Sequence, residues 1–262
     1  MEKRKLDLDK FKIKLREGSK ISKTIAVMSG KGGVGKSSVT SLLATKLSQK
    51  GYKVAILDAD ITGPSIPQAF GIKENVRALE DGTIIPKTTK SGIKLMSINL
   101  ILEDKKAPVI WRSSIVNNVL KQFYSEVDWG EIDYMLIDMP PGTSDVPLTV
   151  FQALPIDGIV AVTTPQDLVG MVVEKSLNMA KMMGKTVLGI VENMSYFTCP
   201  DNGKDYKIFG KGSTDKIASE YKIDTVSKLP INPQITSLID QGKIEDIQGK
   251  ELDNLVEKIE KL

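Results

Sequence analysis

Histidine is missing from all 262 residues, and cysteine occurs once, at Cys199. The first absence removes imidazole as a base or metal ligand, so any such chemistry falls to carboxylates, lysines, hydroxyls or that one thiol. The second excludes an internal disulfide framework and fits a reducing compartment, so the expected location is the cytoplasm. Arginine is scarce too, confined to Arg4, Arg16, Arg77 and Arg112. No apolar run approaches the ~20 residues of a bilayer-spanning helix. The opening MEKRKLDLDKFKIKLREGSK lacks the apolar stretch of a signal peptide. A formal net charge of +3 is too small to indicate nucleic acid. Neither nucleic acid nor membrane is an expected partner.

What is present is a strong alternation. TIAVMS, KVAILD, DYMLID, GIVAVTT and TVLGIVEN are short and apolar on both alternating faces, as strands of a covered parallel sheet are. Helical patterns lie between them, such as Val39, Leu42, Leu43 and Leu47, with Lys46 able to snorkel. The expected fold is α/β, a doubly wound, mostly parallel sheet with helices on both faces. Residues 1–20 read as a charged extension and 21–262 as the folded domain. VRALEDGTIIPKTTKSGIKLMSI breaks the rhythm, and its Asp81-Gly82 turn signal suggests a hairpin-like insertion. Near the C-terminus, Leu252, Leu255, Val256, Ile259 and Leu262 share one face of a helix expected to dock on the body.

SGKGGVGKSS, between the first strand and the following helix, satisfies G-x-x-x-x-G-K-S/T through Gly30, Gly35, Lys36 and Ser37. Glycines let the backbone curl until several N–H groups converge on phosphate oxygens, and the helix N-terminus adds favourable partial charge. Gly30, Lys31, Gly32, Gly33, Val34, Gly35, Lys36, Ser37 and Ser38 are therefore the expected nucleotide contacts. Lys36 would neutralise β and γ oxygens, and the Ser37 hydroxyl would ligate Mg²⁺. Lys31 is either a solvated loop lysine or a charge that reaches a partner's phosphates.

Carboxylates close the strands. Asp58 and Asp60 end the second, at the edge where open α/β sheets bind ligands, unless they merely cap a turn. Asp138 ends DYMLID, where such an aspartate holds Mg²⁺ directly or through water. The following PPGTSD suits a switch loop, within which Asp145 could hydrogen-bond. Asn193 could simply end its strand. The expected reaction is ATP hydrolysis by positioning and charge neutralisation.

KGGVGKS resembles the deviant Walker A loop of the MinD/ParA/nitrogenase-iron-protein group of dimeric ATPases. The resemblance implies that Lys31 acts across a dimer, much as an arginine finger does. It implies that Asp60 polarises the attacking water, Asp58 is a supporting ligand and Asn193 pairs with adenine. DADITGPSIP, PVIWRSS, IDMPPGTSD, VTTPQ, VENMSYFTCP, IFGKGS and LPINPQITSLIDQGK narrow the likeness to the Mrp/Nbp-type iron–sulfur cluster carriers. That branch implies a cytosolic homodimer holding a [4Fe–4S] cluster at the subunit junction and passing it to apo iron–sulfur clients. The chain departs from it in two places. WRSSI stands where Gly-Pro usually follows Trp-Arg, which leaves the contact of Arg112 open. The Cys-x-x-Cys motif keeps Cys199 but has Asn202 in the second position. A dimer then brings two thiolates where the cluster takes four, with Asp201 or an external thiol left to complete the set. The alternatives are an adaptor or regulatory ATPase that holds no stable cluster, a heterodimer with a cysteine-complete relative, and a MinD/ParA-like positioning ATPase.

Overall fold

The computed structural model describes residues 12–60, 65–102, 113–142 and 145–262. Its frame is a sheet of seven parallel strands. In chain order these are β1 (Lys20–Ser29), β2 (Val54–Asp58), β6 (Lys94–Ser97), β7 (Glu131–Asp138), β8 (Gly158–Thr163), β9 (Thr186–Thr198) and β11 (Val226–Pro230). Across the sheet they run β11-β9-β8-β1-β7-β2-β6. The short β5 (Lys87–Thr88) joins β6 antiparallel at one edge. At the other, β10 (Asp205–Tyr206) folds back on the end of β9.

Strand periodicity sorts the core into two layers, because successive side chains point to opposite faces. Ile25, Val27, Ile56 and Leu136 pack with α1 (Lys36–Gln49) and α8 (Asp253–Glu260). Ala26, Met28, Leu57, Met135 and Ile137 pack with α3 (Ser113–Ser125) and α4 (Asp145–Ala153). Helix α5 (Asp167–Met182) touches both layers. The expected doubly wound fold is thus present, with the strand order reversing direction beside β1. Ligands of open α/β sheets settle at such a point, outside the carboxyl ends of the strands.

The insertion is more than one hairpin. β3 (Arg77–Ala78) and β4 (Ile84–Ile85) pair around Asp81-Gly82, where the Thr83 N–H donates to Asp81 at 2.9 Å. A second reversal joins β5 to β6, and β6 then enters the main sheet beside β2. Its KLMS is hard to foresee as a sheet strand because the run is only four residues long. β9 also continues beyond TVLGIVEN to Thr198, and that extension carries the chain to Cys199.

Helix α8 docks as its pattern implied. Leu255, Val256 and Ile259 are buried, and Glu260 receives Lys50 at 2.7 Å and Tyr52 at 3.1 Å. Among the described residues no helix is long and apolar enough to cross a membrane.

Candidate functional site

Register brings the chemistry together. Asp58 stands opposite Asp138 in the β2–β7 pair, and opposite Ser97 in the β2–β6 pair. The loop between β1 and α1 ends at the same edge of the sheet and delivers Lys36 and Ser37. Lys36 Nζ donates to Asp138 Oδ2 at 2.7 Å and lies 3.3 Å from Asp60. The Ser37 hydroxyl donates to the same Oδ2 at 2.6 Å, while Thr40 donates to Oδ1 at 2.7 Å. The Asp138 carboxylate is completely buried and accepts three hydrogen bonds, as a buried charge must if it is to remain charged.

Charge balance decides the protonation of this cluster. Burial pulls the Lys36 ammonium down, yet Asp138, Asp60 and Asp58 outweigh it, so its pKa stands above the ordinary 10.5. Asp58 goes the other way. Burial, then the neighbouring Asp138, hold its carboxyl well above the usual carboxylate range. Both Asp58 oxygens are engaged, Oδ2 by Ser97 at 2.8 Å and Oδ1 by the Asp60 N–H at 3.1 Å.

The loop itself is built to receive an anion. Gly35 precedes α1 with φ 81°; no side chain caps that helix and no acidic residue occupies its first turn. Its N–H groups therefore face outward without a built-in acceptor, the usual preparation for phosphate. Gly35 is required for a further reason. A Cβ there would come within 2.2 Å of Asn193 Nδ2, which donates to the Val34 carbonyl at 2.9 Å. Asn193 is thus brought against the loop. Ser37 and Asp138 are hard oxygen donors within hydrogen-bond distance of each other, a set that fits Mg²⁺.

Lys31 lies apart from this cluster, with Nζ 3.1 Å from Gln166 Oε1. Gly30, Gly32, Gly33 and Ser38 complete the loop around Lys36, and Gly142 ties the Asp138 strand to it by donating to the Ser29 carbonyl at 2.9 Å. Three contacts of this region escaped the sequence: Thr40 on Asp138, Ser97 on Asp58 and Gln166 on Lys31. Thr40 could have been found as the residue one helical turn beyond Lys36. Ser97 carries no local signal, and Gln166 stands in VTTPQ with nothing there to tie it to Lys31. Arg112 lies outside the described residues, as do the stretches 61–64 and 143–144 and the Asp145 side chain.

Cys199 begins the tight turn between β9 and β10. Its N–H donates to the Lys204 carbonyl and its own carbonyl accepts from Gly203, each at 2.9 Å. Asn202 serves this turn: Oδ1 accepts from the Lys204 N–H at 2.9 Å, and Nδ2 donates to the Tyr206 hydroxyl at 3.3 Å. Beside the turn, Tyr206, Ile208 and Phe209 are exposed. Among the described residues no group of three or more Cys, Asp or Glu side chains is placed to hold a metal ion. One chain therefore offers a single soft donor, too few for a [4Fe–4S] cluster.

Residues 20–261 match the ParA-type family model described as NUBPL iron-transfer P-loop NTPase. An iron-sulfur cluster carrier protein of Clostridium perfringens is 48% identical over 233 residues, covering 86% of this chain and 82% of the relative. The cytosolic Fe-S cluster assembly factor CFD1 of Kluyveromyces lactis is 42% identical over 228 residues, covering 84% and 81%. Among solved structures, the nucleotide-binding protein of Archaeoglobus fulgidus in complex with ADP superposes with a TM-score of 0.80 at 44% identity, covering 89% of this chain and 91% of that one. The loop, its aspartates and the doubly wound sheet accord with these likenesses, and the chain belongs to the NUBPL-type iron-transfer P-loop NTPases.

Proposed function

We propose that this protein is an ATP-hydrolysing iron–sulfur cluster carrier, which works as a dimer in the cytoplasm and hands its cargo to apo iron–sulfur proteins. The observation that carries the reading is the placement of Asn193 on β9 and of Cys199 directly after that strand's end. Asn193 packs against the phosphate loop and Cys199 follows at the strand's far end. The six steps from Asn193 to Cys199 reach at most about 20 Å of chain, so loop and thiol are joined by one short segment.

Each nucleotide-site residue then has a task. The α1 N-terminus and the amides from Gly30 to Ser38 bind the phosphates. Lys36 exchanges its carboxylate partners for the β and γ oxygens. Ser37 and Asp138 would hold Mg²⁺, which would supply positive charge beside the phosphates. Asp60 orients the attacking water. Asp58, engaged by Ser97 and the Asp60 backbone, supports that loop. After its bond to Val34, Asn193 keeps one N–H and its carbonyl for the adenine edge, which favours ATP. A second copy lends its Lys31 to the γ-phosphate, and the same pairing sets two Cys199 thiols and the exposed Tyr206, Ile208 and Phe209 beside each other.

A second reading has its own support. Asn202 is occupied by two turn hydrogen bonds and is a hard donor unsuited to iron–sulfur ligation. In this reading the protein is a nucleotide-switched adaptor, or the cysteine-poor half of a heterodimer. Anaerobic reconstitution with iron and sulfide decides between them. Acid-labile sulfide retained by the wild-type dimer and lost in Cys199→Ser supports the carrier; equal, negligible sulfide in both leaves the adaptor. For catalysis, Lys36→Ala should abolish nucleotide binding by calorimetry. Lys31→Ala and Asp60→Ala should bind ATP yet turn over at least ~100-fold more slowly.

A further inference from the structure

The contact between Lys31 and Gln166 has no part in that reaction, since a lysine held by its own chain cannot reach another chain's nucleotide. Gln166 immediately precedes α5, in the N-cap position, but its side chain makes no hydrogen bond to the helix. Glutamine is a poor cap, and its amide oxygen is spent on Lys31, 135 positions away.

Both partners are supported from behind. Ser29 Oγ donates to the Lys31 carbonyl at 2.9 Å, fixing the start of the loop. On the other side, the end of β8 stands in register with Glu192 at Thr163. Pro165 lies against Gly212, where an added Cβ would come within 3.2 Å of Pro165 and 2.8 Å of Glu192 Oε2. Buried Glu192 is in turn fixed by Ser195, which donates to it at 2.5 Å. Gln166 therefore projects from a packed support, and a specific 3.1 Å contact across so many positions is a defined arrangement.

The chemistry of the pair suits a hold that can be released. A neutral amide oxygen orients an ammonium but binds it more weakly than a carboxylate or phosphate does. The contact is exposed, so breaking it leaves no charge stranded in the interior. We propose that Gln166 restrains Lys31 in cis, withholding it from catalysis until the triphosphate of a facing copy outcompetes the amide. The proposal rests on the reading that Lys31 acts across a dimer.

ATP turnover at a fixed, subsaturating protein concentration tests it in Gln166→Ala and Gln166→Glu, each with and without Lys31→Ala. Removing this exposed hydrogen bond to a neutral acceptor should raise turnover about fivefold. A carboxylate at 166 should hold the ammonium harder and lower turnover by about tenfold, with the KM for ATP unchanged. The order Ala above wild type above Glu is the expected result, and the differences should vanish in the Lys31→Ala background. A glutamine with a merely structural role would slow both variants alike. That outcome, or any other order, overturns the proposal while Lys31→Ala remains slow. Should Lys31→Ala turn over normally, the underlying reading of Lys31 fails instead.

Discussion

Lys36 and Asp138 meet at 2.7 Å across 102 positions of sequence, the lysine almost fully buried and the aspartate entirely so. Asp60 and Asp58 add to the field, so one cation balances three carboxylates. Because the Lys36 pKa is raised on folding, its contribution to stability is complete below its unfolded value of 10.5 and is lost as pH rises through the higher folded value. The wild type should therefore keep this contribution across the neutral range. Lys36→Met leaves the carboxylates unbalanced and should cost about 3–5 kcal/mol at neutral pH. As pH falls Asp58, whose carboxyl burial already holds well above the usual range, takes up its proton and the deficit should shrink. Urea unfolding near pH 7.5 and pH 5.5 checks this, and an equal deficit at both would refute the charge-balance account.

Asp58 predicts a pH slope of its own. Its pKa is raised in the folded state, chiefly by burial and then by Asp138. Between the ordinary value of 3.8 and the higher folded value, the folded chain binds more protons than the unfolded one. Stability from this group thus falls as pH rises through that window. Asp58→Asn keeps an oxygen for the Asp60 N–H without the buried charge. Its melting temperature should match or exceed that of the wild type at neutral pH, and its stability should depend less on pH in the mildly acidic range. A variant that is less stable yet equally pH-dependent would show that Asp58 is not a source of the slope.

Asn193 separates base recognition from loop support. Its amide bonds Val34 and crowds Gly35, so some effect of Asn193→Ala on every nucleotide follows from loop packing alone. If the amide also reads adenine, ATP affinity should fall about tenfold further than GTP affinity, the size of one well-made hydrogen bond left unpaired. Competition calorimetry with both nucleotides measures the difference. Parallel losses would assign Asn193 to the loop only.

What was legible in the chain followed from how locally each signal is written. The phosphate loop is contiguous, and Gly35, Lys36 and Ser37 could be named because their spacing is dictated by one turn of backbone around phosphate. Asp138 was legible as the polar end of an apolar strand. The partners of these residues were not, since Thr40 and Ser97 meet Asp138 and Asp58 only through helix pitch and strand register. Gln166 likewise depends on β8 lying next to β1. The length of β9 was hidden for a different reason: the extension Met194–Thr198 includes a residue with φ 56°, and polar or aromatic residues there lack the apolar run that marked its first half.

Asn202 offers the sharpest test of what this chain carries. It occupies the second cysteine position of the resembled motif, and the structure shows what replaced the thiol: an amide that accepts from Lys204 and donates to Tyr206. The positive-φ position of the turn is Gly203, with φ 67°, whereas Asn202 is absent from the positive-φ positions. No left-handed backbone therefore opposes cysteine at 202. Loss of the two side-chain bonds in an exposed turn should cost about 1–2 kcal/mol at most, leaving the main-chain bonds between Cys199, Gly203 and Lys204 to keep the hairpin closed. Asn202→Cys would raise the dimer from two thiolates to four, the usual complement for a [4Fe–4S] cluster. After anaerobic reconstitution it should retain about four iron atoms and four sulfides per dimer, well above the wild-type content, and Cys199→Ser in that background should remove them. If the double-thiol hairpin holds no more iron than the native one, the missing cysteine is not what limits the cargo, and the facing geometry of the two hairpins is.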